Sequence, residues 1–254
     1  MTRKFEKKKR PKKEDKQLSS INRITGHIFD DKTIQIISEL RNIKVITGLD
    51  YPISEGKEAV VFKARSQHGD VAVKIFKYET SSFLKRSMTK YIQGDPRFPS
   101  IQMTYRSLVK MWARKEFSNL KACQDAGVSA PTPLKHRDNV VVMQFLGEGG
   151  IPYSLLKNLP MDDVDVNVQG LFDKVIDNMK KMWKHGFVHA DLNEFNILTD
   201  GTNLWFIDMA QSVKKQHPLS MQFFEKDCNN IARFFAKHGV DTSKEEVMAS
   251  VLKQ

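Results

Sequence analysis

Val188-His189-Ala190-Asp191-Leu192-Asn193-Glu194-Phe195-Asn196-Ile197-Leu198 is followed, twelve residues after Asn196, by Asp208 in Leu204-Trp205-Phe206-Ile207-Asp208. Phe187-Val188 and Ile197-Leu198 are apolar pairs that can anchor a loop between short buried strands. Leu204 to Ile207 reads as a further strand, which sets Asp208 at a strand end facing a cleft. Taken singly, His189 and Asp191 could merely stabilise a turn, and Asp208 could cap a strand. Their weight comes from their spacing and from what stands upstream.

Phosphoryl transfer needs an acceptor for the attacking hydroxyl's proton and oxygen ligands for Mg²⁺ on the nucleotide phosphates. His189-x-Asp191-Leu192-x-x-x-Asn196 supplies both residue types at the spacing of a protein-kinase catalytic loop. On that reading Asp191 is the base, and Asn196 and Asp208 are the metal ligands. Upstream, Val71-Ala72-Val73-Lys74-Ile75-Phe76 puts one Lys inside an otherwise apolar strand, where an ammonium is costly unless an anion meets it. The candidate anions are a phosphate and the carboxylate of Glu116. That residue lies in Trp112-Ala113-Arg114-Lys115-Glu116-Phe117-Ser118-Asn119-Leu120, a helix with Trp112, Glu116, Asn119 and Leu120 toward one side. On spacing alone Glu116 would be an exposed helix acid. Before both, the turn Ser54-Glu55-Gly56-Lys57-Glu58-Ala59 has residues through which backbone amides, a hydroxyl and an ammonium could approach phosphates.

With 254 residues, 40% of them hydrophobic, the chain can bury a sizeable core as one large domain or two small lobes. The net charge of +11 is uneven: residues 1–17 hold nine Lys or Arg against three acids, and residues 77–115 nine against two. Cys123 and Cys228 sit in amphipathic stretches without partner spacing, so they read as small core residues of a reducing compartment. No apolar run approaches the roughly 18 residues of a membrane helix, and the N-terminus lacks the apolar segment of a signal peptide. These features point to a cytoplasmic protein with no membrane contact.

Residues 1–17 are Lys-rich without apolar periodicity and read as a flexible tail, either an arm for an acidic partner such as nucleic acid or a solubilising terminus. Ile34, Ile37, Leu40 and Ile43 follow at helical spacing, with Asp30 or Asp31 as N-cap. Strands around 50–54, 60–64 and 71–76 then form an antiparallel meander. The basic, hydroxyl-rich stretch 77–106, with Ser81, Ser82, Ser87, Thr89, Ser100 and Thr104, reads as a long, partly mobile loop rather than core. Val140 to Leu146 is a buried strand, and the composition shift at Gly147-Glu148-Gly149-Gly150 places an N-lobe at 18–146 and a C-lobe at 147–254. Val168 to Trp183 gives a helix stopped at Gly186. His185 and His189 fall on either side of that stop, which argues against an i, i+4 metal pair. A helix from about 218 to 238 and one opened by the capping box Ser243-x-x-Glu246 complete the chain.

Taken in order, Ser54 to Ala59, Val73-Lys74-Ile75, Trp112 to Glu116, Met143-Gln144-Phe145, His189 to Asn196, Ile207 to Val213, His217-Pro218 and Phe224-x-x-Asp227-Cys228 resemble the RIO atypical protein kinases, most closely the type-1 branch. The resemblance runs from about Asp30 to Gln254. It implies an α+β, bilobal protein-kinase-like fold, with an antiparallel sheet and helices in the N-lobe. The C-lobe would be a reduced helical one lacking the activation segment and peptide-docking helices. It implies ATP with Mg²⁺, or Mn²⁺ in its place, bound by the phosphate loop Ser54, Glu55, Gly56, Lys57 and Glu58. Lys74 would meet the α/β-phosphates with Glu116 as ion-pair partner, and Gln144, Phe145 and Leu146 would form the hinge that holds adenine through backbone groups. Asp191 becomes the catalytic base, and Asn196 and Asp208 hold the metal. Asp208 is also the residue that would accept the phosphoryl group as an aspartyl-phosphate. The family's work in small-subunit maturation implies the pre-ribosomal small subunit and its RNA as partners, with a protein substrate as a further one.

Glu55 stands where the family commonly has Thr. Against ordinary kinases, Ala190 replaces the Arg that reads an activation-loop phosphate, and Asp208-Met209-Ala210 lacks Phe and Gly, so control by activation-loop phosphorylation is not expected. With 46 residues after Asp208, a peptide in trans has little to bind. Transfer is expected to go to water, to Asp208, or in cis to Ser81, Ser82, Ser87, Ser100 or Ser107. Two other classes compete with this reading. One is a small-molecule phosphotransferase of the aminoglycoside or choline kinase kind, which would want an acidic pocket; the other is a nucleotide-binding scaffold without chemistry.

Overall fold

The computed structural model describes residues 29–78, 88–98 and 104–253. The basic tail and Ser81, Ser82, Ser87 and Ser100 lie outside the described residues. The N-terminal lobe begins with α1, Asp31–Asn42, whose N-cap Asp30 accepts from Thr33 N at 2.9 Å. It continues through β1, Gly48–Glu55; β2, Ala59–Ser66; and β3, Gly69–Phe76. A 22-residue helix α2, Tyr105–Ala126, follows, then β4, Pro133–Arg137, and β5, Val140–Gln144. Thr104 caps the start of α2, and Gly127 ends it in the left-handed conformation that a Cβ disfavours.

The five strands form one antiparallel sheet in the order β1-β2-β3-β5-β4. Alternation along each strand splits its side chains between two faces. Val60, Phe62, Val73, Ile75, Val140 and Val142 bury against Ile36, Ile37 and Leu40 of α1. Ala59, Ala72, Phe76, Val141 and Met143 belong instead to the larger core, with Trp112, Ala113 and Leu120 of α2. Lys74 is on that second side, opposite Val61 on β2 and Val141 on β5.

Among the described residues, the C-terminal lobe is built around three α-helices. After the two-residue strands β6, Gly147–Glu148; β7, Ile151–Pro152; and β8, Ser154–Leu155, it contains α3, Val168–Lys184, and β9, Phe187–Val188. Next come β10, Ile197–Thr199; β11, Leu204–Phe206; β12, Val213–Lys214; α4, Ser220–Lys237; and α5, Lys244–Leu252. β10 lies between β11 and β8, and β12 pairs with β9, so both ends of the loop 189–196 are held by strands. The apolar stripes of α3 and α4 meet in the core, where Cys123 and Cys228 are free and buried. The Ser243–Glu246 capping box forms at the start of α5. Among the described residues no helix is long and apolar enough to cross a membrane.

One expectation is corrected. Residues 88–92 of the stretch read as a loop outside the core form a helical turn, and Met88, Tyr91 and Ile92 are buried in the main core. Their i, i+3, i+4 spacing is a helical stripe, masked in the sequence by the surrounding charges and hydroxyls. Tyr91 stacks on Phe223 at the start of α4 with centroids 5.0 Å apart, and its ring also meets Trp112 of α2 at 5.9 Å. Ser107 likewise belongs to the first turn of α2, where its hydroxyl and that of Thr104 are 2.8 Å apart.

Candidate active site

Strand β3 carries Lys74 into the cleft between the lobes. Its ammonium lies 2.9 and 2.8 Å from the two carboxylate oxygens of Glu116 and 3.0 Å from Asp208 Oδ1. Burial alone would lower the Lys74 pKa, but the Asp208 and Glu116 carboxylates outweigh it and hold the ammonium above its ordinary value. Burial pushes Glu116 up to about 7 against the pull of Lys74. Asp208 opens to the cleft on one side yet lies among many protein atoms. Desolvation would raise it, but Lys74 prevails and keeps its carboxyl below the usual Asp range. Glu58 is raised by burial first and by the Asp208 charge second, and its Oε2 accepts from Trp112 Nε1 at 3.2 Å.

Asp208 follows β11 with φ +59°, a left-handed conformation that Asp tolerates better than most residues. The turn after it is tied to α2. Lys115 Nζ donates to Ala210 O at 2.8 Å and also to Ser212 O, and Asn119 Nδ2 donates to Met209 O at 2.6 Å and Ser212 O at 3.0 Å. Burial holds the Lys115 ammonium well below its ordinary pKa. Arg97 braces Asn119 by donating to its Oδ1 at 2.7 Å while also pairing with Asp95.

The loop 189–196 is clamped from α4. Asp227, buried in the apolar stripe, accepts from Ala190 N at 2.8 Å and Leu192 N at 2.7 Å, and Asn230 Nδ2 donates to Leu192 O at 3.0 Å. These bonds hold Ala190 at φ +70°. His189 is buried, donates from Nε2 to Ile207 O at 3.1 Å, and is kept below its usual pKa by desolvation, hence neutral. Asn196 Nδ2 donates to Asp191 O at 2.9 Å and stands 3.5 Å from Asp191 Oδ2. Lys226 Nζ is 2.7 Å from Asp191 Oδ1.

The cleft has a volume of about 440 Å³, with Ser54, Gly56, Lys57 and Glu58 on the turn side, Lys74 and Glu116 within, Gln144 and Leu146 at the back, and Asn196 and Asp208 below. Two residues read into the nucleotide site, Phe145 among them through its backbone, turn their side chains away from the cleft. Glu55 Oε1 accepts from Lys77 at 2.9 Å, and the Phe145 ring lies 6.0 Å from the Lys63 ammonium; neither side chain lines the cleft. Leu146 O, in the segment read as the hinge, accepts from Tyr153 N at 3.0 Å and is thereby engaged within the protein.

The residues fit a hard divalent cation. Asn196 spends its amide nitrogen on Asp191, which turns its oxygen into the available ligand, and Asp208 adds a carboxylate. Among the described residues no group of three or more His, Cys, Asp or Glu could hold a metal. Two protein oxygens completed by phosphate and water are how Mg²⁺ is commonly bound.

Lys115, Lys226 and Asn230 were not legible as site residues in the sequence. Asp227 did carry a signal, since an acid inside the stripe Phe224, Cys228, Ile231, Phe235 must meet donors.

The RIO domain family model matches residues 60–248. The RIO-type serine/threonine-protein kinase Rio1 of Thermoplasma acidophilum is 40% identical over 195 residues, covering 77% of this chain and 100% of that protein. Rio1 of Methanocaldococcus jannaschii is 37% identical, covering 92% of this chain and 79% of its own length. Among solved structures, the Rio2 kinase–ADP/Mg²⁺–phosphoaspartate complex from Chaetomium thermophilum superposes with a TM-score of 0.66 at 22% identity, covering 94% of this chain and 76% of that one. The last likeness supports the fold. The family match runs from β2 to α5, through Lys74, Glu116 and the clamped loop, and the first of these relatives aligns along its whole length; this chain belongs to the RIO family of serine/threonine-protein kinases, alongside its Rio1 members.

Proposed function

We propose that this kinase binds ATP with Mg²⁺, or Mn²⁺ in its place, and passes the γ-phosphoryl group mainly to its own Asp208, releasing it slowly to water. The observation that carries the reading is the sharing of one ammonium, that of Lys74, between Glu116 and Asp208. This sets Asp208 where the phosphates of a nucleotide on Lys74 would end. Bound between Asn196 and Asp208, the cation would neutralise charge on the β- and γ-phosphates.

In transfer to a hydroxyl or water, the attacking oxygen bonds to the γ-phosphorus, its proton passes to Asp191, and the bond to the ADP oxygen breaks. In capture by Asp208, a carboxylate oxygen is the nucleophile and no proton need move. Water then attacks the acyl phosphate, releasing phosphate and restoring the carboxylate. A phosphoaspartate is named in the Rio2 complex from Chaetomium thermophilum. A slow capture-and-release cycle suits a timer on a large particle. The basic excess in 1–17 and 77–115 favours the pre-ribosomal small subunit and its RNA as that partner, in the cytoplasm. The Lys226–Asp191 pair neutralises the carboxylate at the acceptor end, which removes an anion that a small cationic substrate would bind.

Incubation with γ-labelled ATP tests the reading. A label on the protein that is lost in base or hydroxylamine, and absent from Asp208→Asn, is expected. A hydroxylamine-stable label would move the acceptor to a cis hydroxyl, and efficient multiple turnover on a short peptide without enzyme label would make this a conventional kinase.

A further inference from the structure

Between His189 and Thr199 the chain has no Lys or Arg, so the loop that carries Asp191 supplies no cation of its own. Asn193 cannot compensate, because its amide is spent inside the loop: Nδ2 donates to Asp191 O at 2.8 Å and Oδ1 accepts from Phe195 N at 2.9 Å. The charge on Asp191 is met from α4 instead. Lys226 is 2.7 Å from Oδ1, and among the described residues this is the ion pair that Asp191 makes. Lys226 belongs to a set, since Asp227 and Asn230 fix the backbone of the same loop from the same helix. One face of α4 therefore holds the loop by its N–H groups, by a carbonyl and by its acidic side chain.

We propose that Lys226 is a positioning residue for phosphoryl transfer: it binds Asp191 by Oδ1 and thereby presents Oδ2, beside Asn196, to the acceptor's proton. The inference rests on Asp191 being the base. With half of its side chain exposed, Lys226 forms the kind of ion pair that contributes little to folding. Its effect belongs to the geometry of one carboxylate. In the step concerned, the attacking O–H, on ATP or on the Asp208 acyl phosphate, gives its proton to Asp191 Oδ2 as its oxygen bonds to phosphorus and the bond to ADP or to the Asp208 carboxylate breaks.

The test is a double-mutant cycle in the full chain, with Lys226→Met, Asp191→Asn and the pair, plus Lys226→Arg as the conservative variant. Steady-state phosphate release, which includes the attack of water, and urea midpoints are measured for each. Lys226→Met is expected to lower kcat by roughly 10- to 100-fold, the scale of a misplaced catalytic group, with KM for ATP and the urea midpoint unchanged. Lys226→Arg recovers most of the loss, and Lys226→Met costs nothing further once Asp191 is Asn. A wild-type kcat in Lys226→Met overturns the proposal, as does an equal loss in the Asp191→Asn background, or a fall in urea midpoint with kcat retained. Wild-type turnover by Asp191→Asn is a different result, since it removes the base assignment itself.

Discussion

Lys74 divides one positive charge between Glu116 and Asp208, so replacing it leaves two carboxylates facing each other without a cation. Lys74→Met is expected to cut ATP turnover roughly 10²- to 10³-fold, as loss of a preorganised charge does. Asp191→Asn is expected to cost roughly 10²- to 10⁴-fold, the range for a general base. Circular dichroism should show both variants folded; near wild-type turnover in either would reject its role. Glu116 gives the pH dependence. Its pKa of about 7 predicts that kcat/KM, which reports the free enzyme, falls as pH drops through that value, because a protonated Glu116 no longer fixes Lys74. Stability has the opposite sign. A carboxyl raised from 4.5 to about 7 takes up a proton on folding, so its contribution strengthens as pH falls across that window. Glu116→Gln should remove this gain, and a urea midpoint that drops together with kcat/KM would instead trace the activity loss to unfolding. At this scale the sequence was informative wherever a charge sat in an apolar strand or a fixed motif, as with Lys74 and Asp191. It was silent on Lys226, whose role depends on two elements 35 residues apart meeting in space.

Helix α2 turns one side toward Lys74 through Glu116 and the next toward the Met209–Ser212 turn through Lys115 and Asn119. Asn119→Leu would leave Met209 O without this buried donor. A cost of about 1 to 3 kcal/mol is expected, seen as a lower urea midpoint at unchanged m. An unchanged midpoint would mean that the turn is held by Lys115 alone. Asp227→Ala strips the N–H groups of Ala190 and Leu192 of their acceptor and should cost a similar ~1 to 3 kcal/mol together with activity. Activity retained at full level would show that the strands at both loop ends suffice. The long elements were legible because their apolar periodicity and caps agree, as in α3 with its stop before Gly186. The turn at 88–92 was not, since three apolar residues among charges give too short a pattern to outweigh Gly94, Pro96 and Pro99.

The two lobes share one continuous core, with Trp112 of α2, Tyr91 and Phe223 of α4 forming a column of rings between them. The molecule should therefore melt as one unit, with calorimetric and van't Hoff enthalpies equal; two resolved transitions would contradict the shared core. The basic segments 1–17 and 77–115, proposed to meet RNA, belong to a different scale. Each phosphate they neutralise should add roughly −0.7 to −0.9 to the slope of log K against log salt for RNA, so deleting residues 2–16 should flatten that slope. An unchanged slope would leave the tail a solubilising role. Lobe architecture was legible from the order of motifs, whereas the ring column was not, because it joins three stretches far apart in sequence. The pinned turn after Asp208 also bears on inhibitor design. A compound that needs this aspartate to swing out of the cleft must break four hydrogen bonds from Lys115 and Asn119 to Met209, Ala210 and Ser212. Flat, hinge-directed molecules that accept the inward Asp208 are the chemotypes this cleft should select.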